Sequence, residues 1–173
     1  VLILGLITGD AQAELTSVAR TAITSSIIPV AAGLGEIAGN PVILAGDGRA
    51  QGTFTHPNIY AFFLVTIIGT CLFALHSTRC RTSRGWKTAL YCYIPVLVLM
   101  LLATKTRSAW AGLAAILAVQ AVFVDRRWLL LSLLLPLLFL VPGVSERLVD
   151  LGSGTRDDVF AHLNSFAWRQ VLW

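Results

Sequence analysis

The sequence predicts an all-α integral membrane protein, a bundle of about six transmembrane helices followed by the start of an outer, periplasmic loop carrying an amphipathic helix. Three observations lead there. Of the 173 residues 56% are hydrophobic and 13% charged, and the mean hydropathy is +0.77; a soluble domain carries about 25% charged residues. Apolar runs long enough to span a bilayer recur, separated by short polar connections. The connections also differ in their balance of basic and acidic residues, as they do on the two sides of a membrane.

Residues 1–9 read as the tail of a first span. After a polar patch at 10–17 comes a second span, 18–37, with Arg20 and Glu36 near its ends and Pro29 as an expected kink. Residues 39–57 form a loop rich in glycine. The third span, 58–75, has no formal charge, and the connection at 77–87, STRCRTSRGWK, is strongly basic. The fourth span is 88–103, the turn TKTR follows at 104–107, and the fifth span is 108–124. Asp125, Arg126 and Arg127 form the next turn before a leucine-rich sixth span at 128–142. Two regions result: a transmembrane bundle, 1–142, and the beginning of a large periplasmic loop, 143–173. Val1 and Trp173 each interrupt an apolar or amphipathic pattern, so the chain is expected to be a fragment of a longer polypeptide.

Lys and Arg are enriched in short cytoplasmic connections. The turn with Arg79, Arg81, Arg84 and Lys87 and no acid is therefore placed inside, which puts Trp86 and Trp128 at the inner interface and Trp110 near the outer one. Arg49, Lys105 and Arg107 then fall on the outer side, where basic residues are scarce. One reading is that they snorkel to phospholipid phosphates. The other is an anion site, since Arg49 and Arg107 precede helices whose N-termini point outward and present unpaired N–H groups. Thr55 and Ser108 are the expected caps, and an arginine fork suits phosphate. His56 reads either as a polar anchor or as a group able to bind a sugar or phosphate. Val159, Phe160, Leu163, Phe166, Val171 and Leu172 recur at helical spacing, with Asp157 and Asp158 in the first turn and Arg169 toward the end. Cys71, Cys80 and Cys92 have no metal-binding or disulfide pattern and read as free thiols. No Walker loop, dinucleotide fingerprint or zinc spacing occurs, and no nucleic-acid partner is expected.

At RAQGTFTHPNIYAFFL the chain resembles the O-antigen ligase and O-antigen polymerase family of bacterial membrane glycosyltransferases. The resemblance extends to the preceding span with IIPVAAGLGEIAGN, to TKTRSAWAGL, and to NSFAWRQVLW, where Arg169 is followed four positions on by Trp173. It implies an enzyme of the bacterial cytoplasmic (inner) membrane, lipopolysaccharide or polysaccharide biosynthesis, and transfer of a glycan from undecaprenyl pyrophosphate to an acceptor hydroxyl on the periplasmic face. The acceptor would be lipid A–core, a growing polysaccharide or a protein. No cofactor or metal is implied, because the carrier pyrophosphate is the leaving group. Arg49, Arg107 and Arg169 are implied to hold that pyrophosphate, with His56 beside them. The catalytic residue is unknown; the family's base would fall beyond Trp173, and His162 is not assigned that role. A lipid-linked oligosaccharide transporter or flippase, or a membrane protein with no catalytic site, are the alternatives.

Overall fold

The computed structural model describes residues 11–40, 43, 48–77, 80 and 82–124. All but Ile43, Cys80 and the connecting residues belong to five helices: α1 (Ala11–Ser25), α2 (Ile27–Gly39), α3 (Pro57–His76), α4 (Arg84–Ala103) and α5 (Arg107–Phe123). The chain divides into two units, Val1–Ser132 and Leu133–Trp173, and every described residue lies in the first. No strand occurs among the described residues. The expected first and sixth spans and the amphipathic helix with Arg169 lie outside the described residues.

Three helical stretches are long and apolar enough to cross a membrane: Gln12–Gly39, Pro57–His76 and Arg84–Ala103. The expected fifth span is a shorter apolar helix, Arg107–Phe123. Outward-facing apolar side chains agree with a lipid environment, where they need no protein partner: Ile28 is 71% exposed and Phe123 80%.

The first crossing differs from the expected span. The polar patch at 10–17 was expected to precede the helix, but α1 already begins at Ala11. Gln12–Gly39 is 28 residues long, or about 42 Å at 1.5 Å per residue, well over the ~30 Å of a hydrocarbon core. Its polar first turns can therefore project past the hydrocarbon, with Glu14 in the first turn, where an acid is favoured.

The kink expected at Pro29 is expressed at Ser26, where α1 gives way to α2. Pro29 has no N–H to offer the carbonyl four residues back, at Ser25. The ladder continues on either side of that gap, from Ser26 N–H to Ala22 (3.3 Å) and from Val30 N–H to Ser26 (3.1 Å), so the chain bends without ending the crossing. Ser26 is fully buried. Its hydroxyl donates to the Ile23 carbonyl at 2.6 Å. With that hydrogen used, the 2.9 Å contact with the Tyr93 hydroxyl has Tyr93 as donor.

Helix α3 packs against α1, α4 and α5, while α2 packs on α4. Its inward positions, including Tyr60, Leu64, Ile68, Cys71 and Leu72, are all but inaccessible and recur three or four residues apart, so they share a face. The approach of α2 depends on Gly33. A Cβ there would lie 2.5 Å from Met100 Cε and 2.8 Å from the Tyr60 hydroxyl. Small residues that let helices close up in this way are typical of membrane bundles.

At the opposite end from the site described below, α4 begins earlier than expected, at Arg84. Ser83 accepts the Trp86 N–H at 3.3 Å, and this cap draws Arg84, Gly85, Trp86 and Lys87 into the first turn. The basic connection is shortened accordingly. Arg20 lies 5.7 Å above the Trp86 ring, a cation–π distance. Cys71, Cys80 and Cys92 are free thiols, the first two buried.

Candidate functional site

The ends of α2, α3, α4 and α5 that meet the 48–56 loop form one polar cluster. It starts from Glu36 in the last turn of α2. A negative charge is disfavoured at a helix C-terminus, but this carboxylate has two backbone donors. Its Oε2 accepts the N–H of Gln51 at 2.9 Å and of Gly52 at 3.1 Å. Gly52 has φ +58, and a Cβ there would sit 2.8 Å from the Pro29 carbonyl oxygen. Glycine is required on both counts. Phe54 then stacks on Tyr60, with centroids 5.5 Å apart, and Tyr60 donates to the Pro29 carbonyl at 3.2 Å.

Arg49 ties three helix ends together. Its Nε donates to the Thr104 carbonyl at the end of α4 (2.8 Å). Its Nη2 donates to Asn58 Oδ1 in the first turn of α3 (2.6 Å) and to Thr106 Oγ1 at the start of α5 (2.9 Å). The Ala50 N–H adds a bond to the Ala103 carbonyl at 3.0 Å. The two helix starts expected from the sequence to lie together are thus neighbours, and α3 packs on α5. The same bonds give Arg49 a structural task that the sequence did not signal.

The caps are shifted by one or two residues from the expected Thr55 and Ser108. His56 caps α3, its Nδ1 accepting the Asn58 N–H at 3.1 Å. Pro57 occupies the first helical position, where its missing N–H costs nothing, and this fixes His56 as the cap. With Nδ1 as acceptor, a neutral His56 ring carries its proton on Nε2; the side chain is exposed. Thr106 caps α5 without a side-chain bond to the helix, because its hydroxyl is engaged with Arg49, Asn58 and the Thr104 carbonyl.

Between α4 and α5, Thr104, Lys105 and Thr106 are all buried. Lys105 has φ 51, a left-handed conformation costing a residue with a Cβ roughly 1–2 kcal/mol. Arg107 opens α5 and is half-buried. Lys105 and Arg107 also interact with other groups of the protein. Trp110, one turn further along α5, has a buried indole N–H with no hydrogen-bond partner.

Of the residues read from the sequence as candidates, Arg49, His56 and Arg107 come to this one end, and Arg169 lies outside the described residues. Glu36, Asn58, Thr104 and Thr106, which hold the cluster in place, were not identified as site residues. Their roles depend on partners 9–57 positions away in sequence, which no local pattern reports. Arg49, Lys105, Arg107 and two helix N-termini favour an anion with several oxygens. Among the described residues the acid at this end is Glu36, and its charge faces backbone N–H groups.

Comparison with protein-family models, curated proteins and solved structures gives no match to this chain.

Proposed function

We propose that the polar cluster binds the pyrophosphate of a lipid-linked glycan, and that the chain is part of a membrane glycosyltransferase of the O-antigen ligase/polymerase kind. In this reading the protein resides in the bacterial cytoplasmic membrane with the cluster on the periplasmic face. It transfers glycan from undecaprenyl pyrophosphate to the hydroxyl of lipid A–core, a growing polysaccharide or a protein. The observation that carries it is Arg49 bridging the N-terminal ends of α3 and α5, with Arg107 and Lys105 in the adjoining turn. The sequence resemblance supplies the chemistry.

Glycosyl transfer leaves negative charge on the departing pyrophosphate. Fixed donors aimed at that charge lower the barrier, and losing one costs on the order of 10²–10³ in rate. Arg107 and Lys105 supply charge, the two helix N-termini supply oriented N–H groups, and Arg49 holds these parts in register. Arg169 is a further phosphate contact in this reading. The base that activates the acceptor lies beyond Trp173.

A flippase for the same lipid would need cations along its path. Residues 58–75, 88–103 and 108–123 carry no formal charge, which favours a site confined to one end. The test is glycan transfer by the whole polypeptide in proteoliposomes supplied with lipid-linked donor and acceptor. Transfer without added metal or nucleotide supports the proposal. Movement of donor across the bilayer with no transfer overturns it in favour of the flippase.

A further inference from the structure

The turn between α4 and α5 places a lysine where a helix-ending turn favours glycine or asparagine. Lys105 has φ 51 and is only 4% exposed, although lysine is seldom buried so far. Left-handed backbone and a buried charge are both costs. A turn that merely joined two helices would avoid them with glycine. Such costs persist where the surroundings impose them, and they gather at ligand sites.

The surroundings do impose this one. Arg49 donates to the Thr104 carbonyl on one side of Lys105 and to the Thr106 hydroxyl on the other. The Lys105 N–H itself bonds the Leu102 carbonyl at 2.9 Å. Arg107 follows two positions later as the first residue of α5. Three cations therefore meet around one turn, beside the starts of α3 and α5. A multiply charged anion lowers the energy of such a cluster.

We propose that Lys105 is a further contact for the diphosphate, supplying a compact charge where the arginines supply planar forks. This rests on the pyrophosphate reading given above and adds a residue to it. An ammonium carries three donors, so a contact with the protein and one with a phosphate oxygen are compatible.

Glycine or asparagine at 105 separates the side chain from the backbone. Both are at ease in the left-handed region, and neither carries charge. The whole polypeptide in nanodiscs is compared with Lys105→Gly, Lys105→Asn, Lys105→Arg and Arg107→Ala, reading farnesyl pyrophosphate affinity and unfolding temperature. The Gly and Asn variants are expected to unfold at or above the wild-type temperature yet bind about tenfold more weakly, the effect of losing one charged hydrogen bond. Lys105→Arg keeps most of the affinity. If the Gly and Asn variants bind as wild type while Arg107→Ala does not, Lys105 is a turn residue and the pyrophosphate site stands without it. If both variants unfold earlier, Lys105 serves the fold and the assignment fails. Displacement of the probe by equimolar phosphatidylglycerol makes the lysine a headgroup anchor, which also overturns it. If wild type binds no farnesyl pyrophosphate, the site reading itself falls.

Discussion

Glu36 and Gly52 hold each other across the end of the first crossing: the carboxylate accepts the glycine N–H at 3.1 Å, and the glycine's left-handed backbone brings that N–H within reach. The neighbouring Gln51 N–H binds the same oxygen. Glu36→Ala removes both acceptors and is expected to destabilise the protein by about 1.5–3 kcal/mol, the usual value of hydrogen bonds to a charged group. Glu36→Gln retains a carbonyl oxygen and should lose less. Thermal unfolding in detergent, read for both variants, checks the order.

Gly33 and Gly52 should resist alanine for different reasons. At Gly33 the added methyl meets the flexible end of Met100 and the Tyr60 hydroxyl, which is hydrogen-bonded to Pro29. Overpacking of this kind costs about 1–3 kcal/mol. At Gly52 the methyl meets the Pro29 backbone oxygen and the backbone is also left-handed, so Gly52→Ala is expected to be the worse of the two. Equal unfolding temperatures for the pair would show that the loop yields where it is drawn as fixed.

Arg107→Ala in the whole polypeptide is expected to reduce glycan transfer at least tenfold to hundredfold, since a charged hydrogen bond is worth about 1.5–3 kcal/mol. Arg107→Lys should restore only part, because the fork is lost. Arg49→Ala should show the same loss together with a lower unfolding temperature, because Arg49 also joins α3, α4 and α5. Arg84→Ala, exposed at the other end, is the control. Rates are normalised to protein in the membrane; near wild-type transfer by both Arg49→Ala and Arg107→Ala would move the pyrophosphate elsewhere.

The two ends of the helices should lie on opposite sides of the membrane. Cys80 is a poor reporter because it is buried. Gly85 is better, being exposed with open space around its Cα, and Thr53 is exposed at the other end. In a background with the native cysteines replaced, an impermeant thiol reagent applied to intact cells should label Thr53→Cys and miss Gly85→Cys. The reverse pattern would put the cluster on the cytoplasmic side.

Hydrophobic runs foretold α3, α4 and α5 to within a few residues, because burying apolar surface in lipid and in the helix contacts calls for the same composition. Helix starts were less legible. Thr55 is a better cap by residue type, but Pro57 decides the matter by taking the first helical position. The chance meeting of arginines at one end was readable from topology alone. The bonds of Arg49 to Thr104, Asn58 and Thr106 were not, since they depend on side-chain reach across folded backbone. The left-handed Lys105 also left no trace: TKTR lacks the glycine that usually marks such a turn.

Helix α5 has 17 residues against 20 in α3, a difference of about 4.5 Å in length. Arg49 pins the starts of both at one level, so the whole shortfall falls at the far end, where Val122 and Phe123 are strongly exposed. A bilayer meeting that end has to thin or the helix has to be drawn inward, each at a fraction of a kcal/mol per ångström. The elastic load is thus concentrated on one helix and conducted along it to the turn that carries Lys105 and Arg107. Acyl-chain length then becomes a variable of the site: in thicker membranes the pull on that turn should grow, even though no lipid tail touches it.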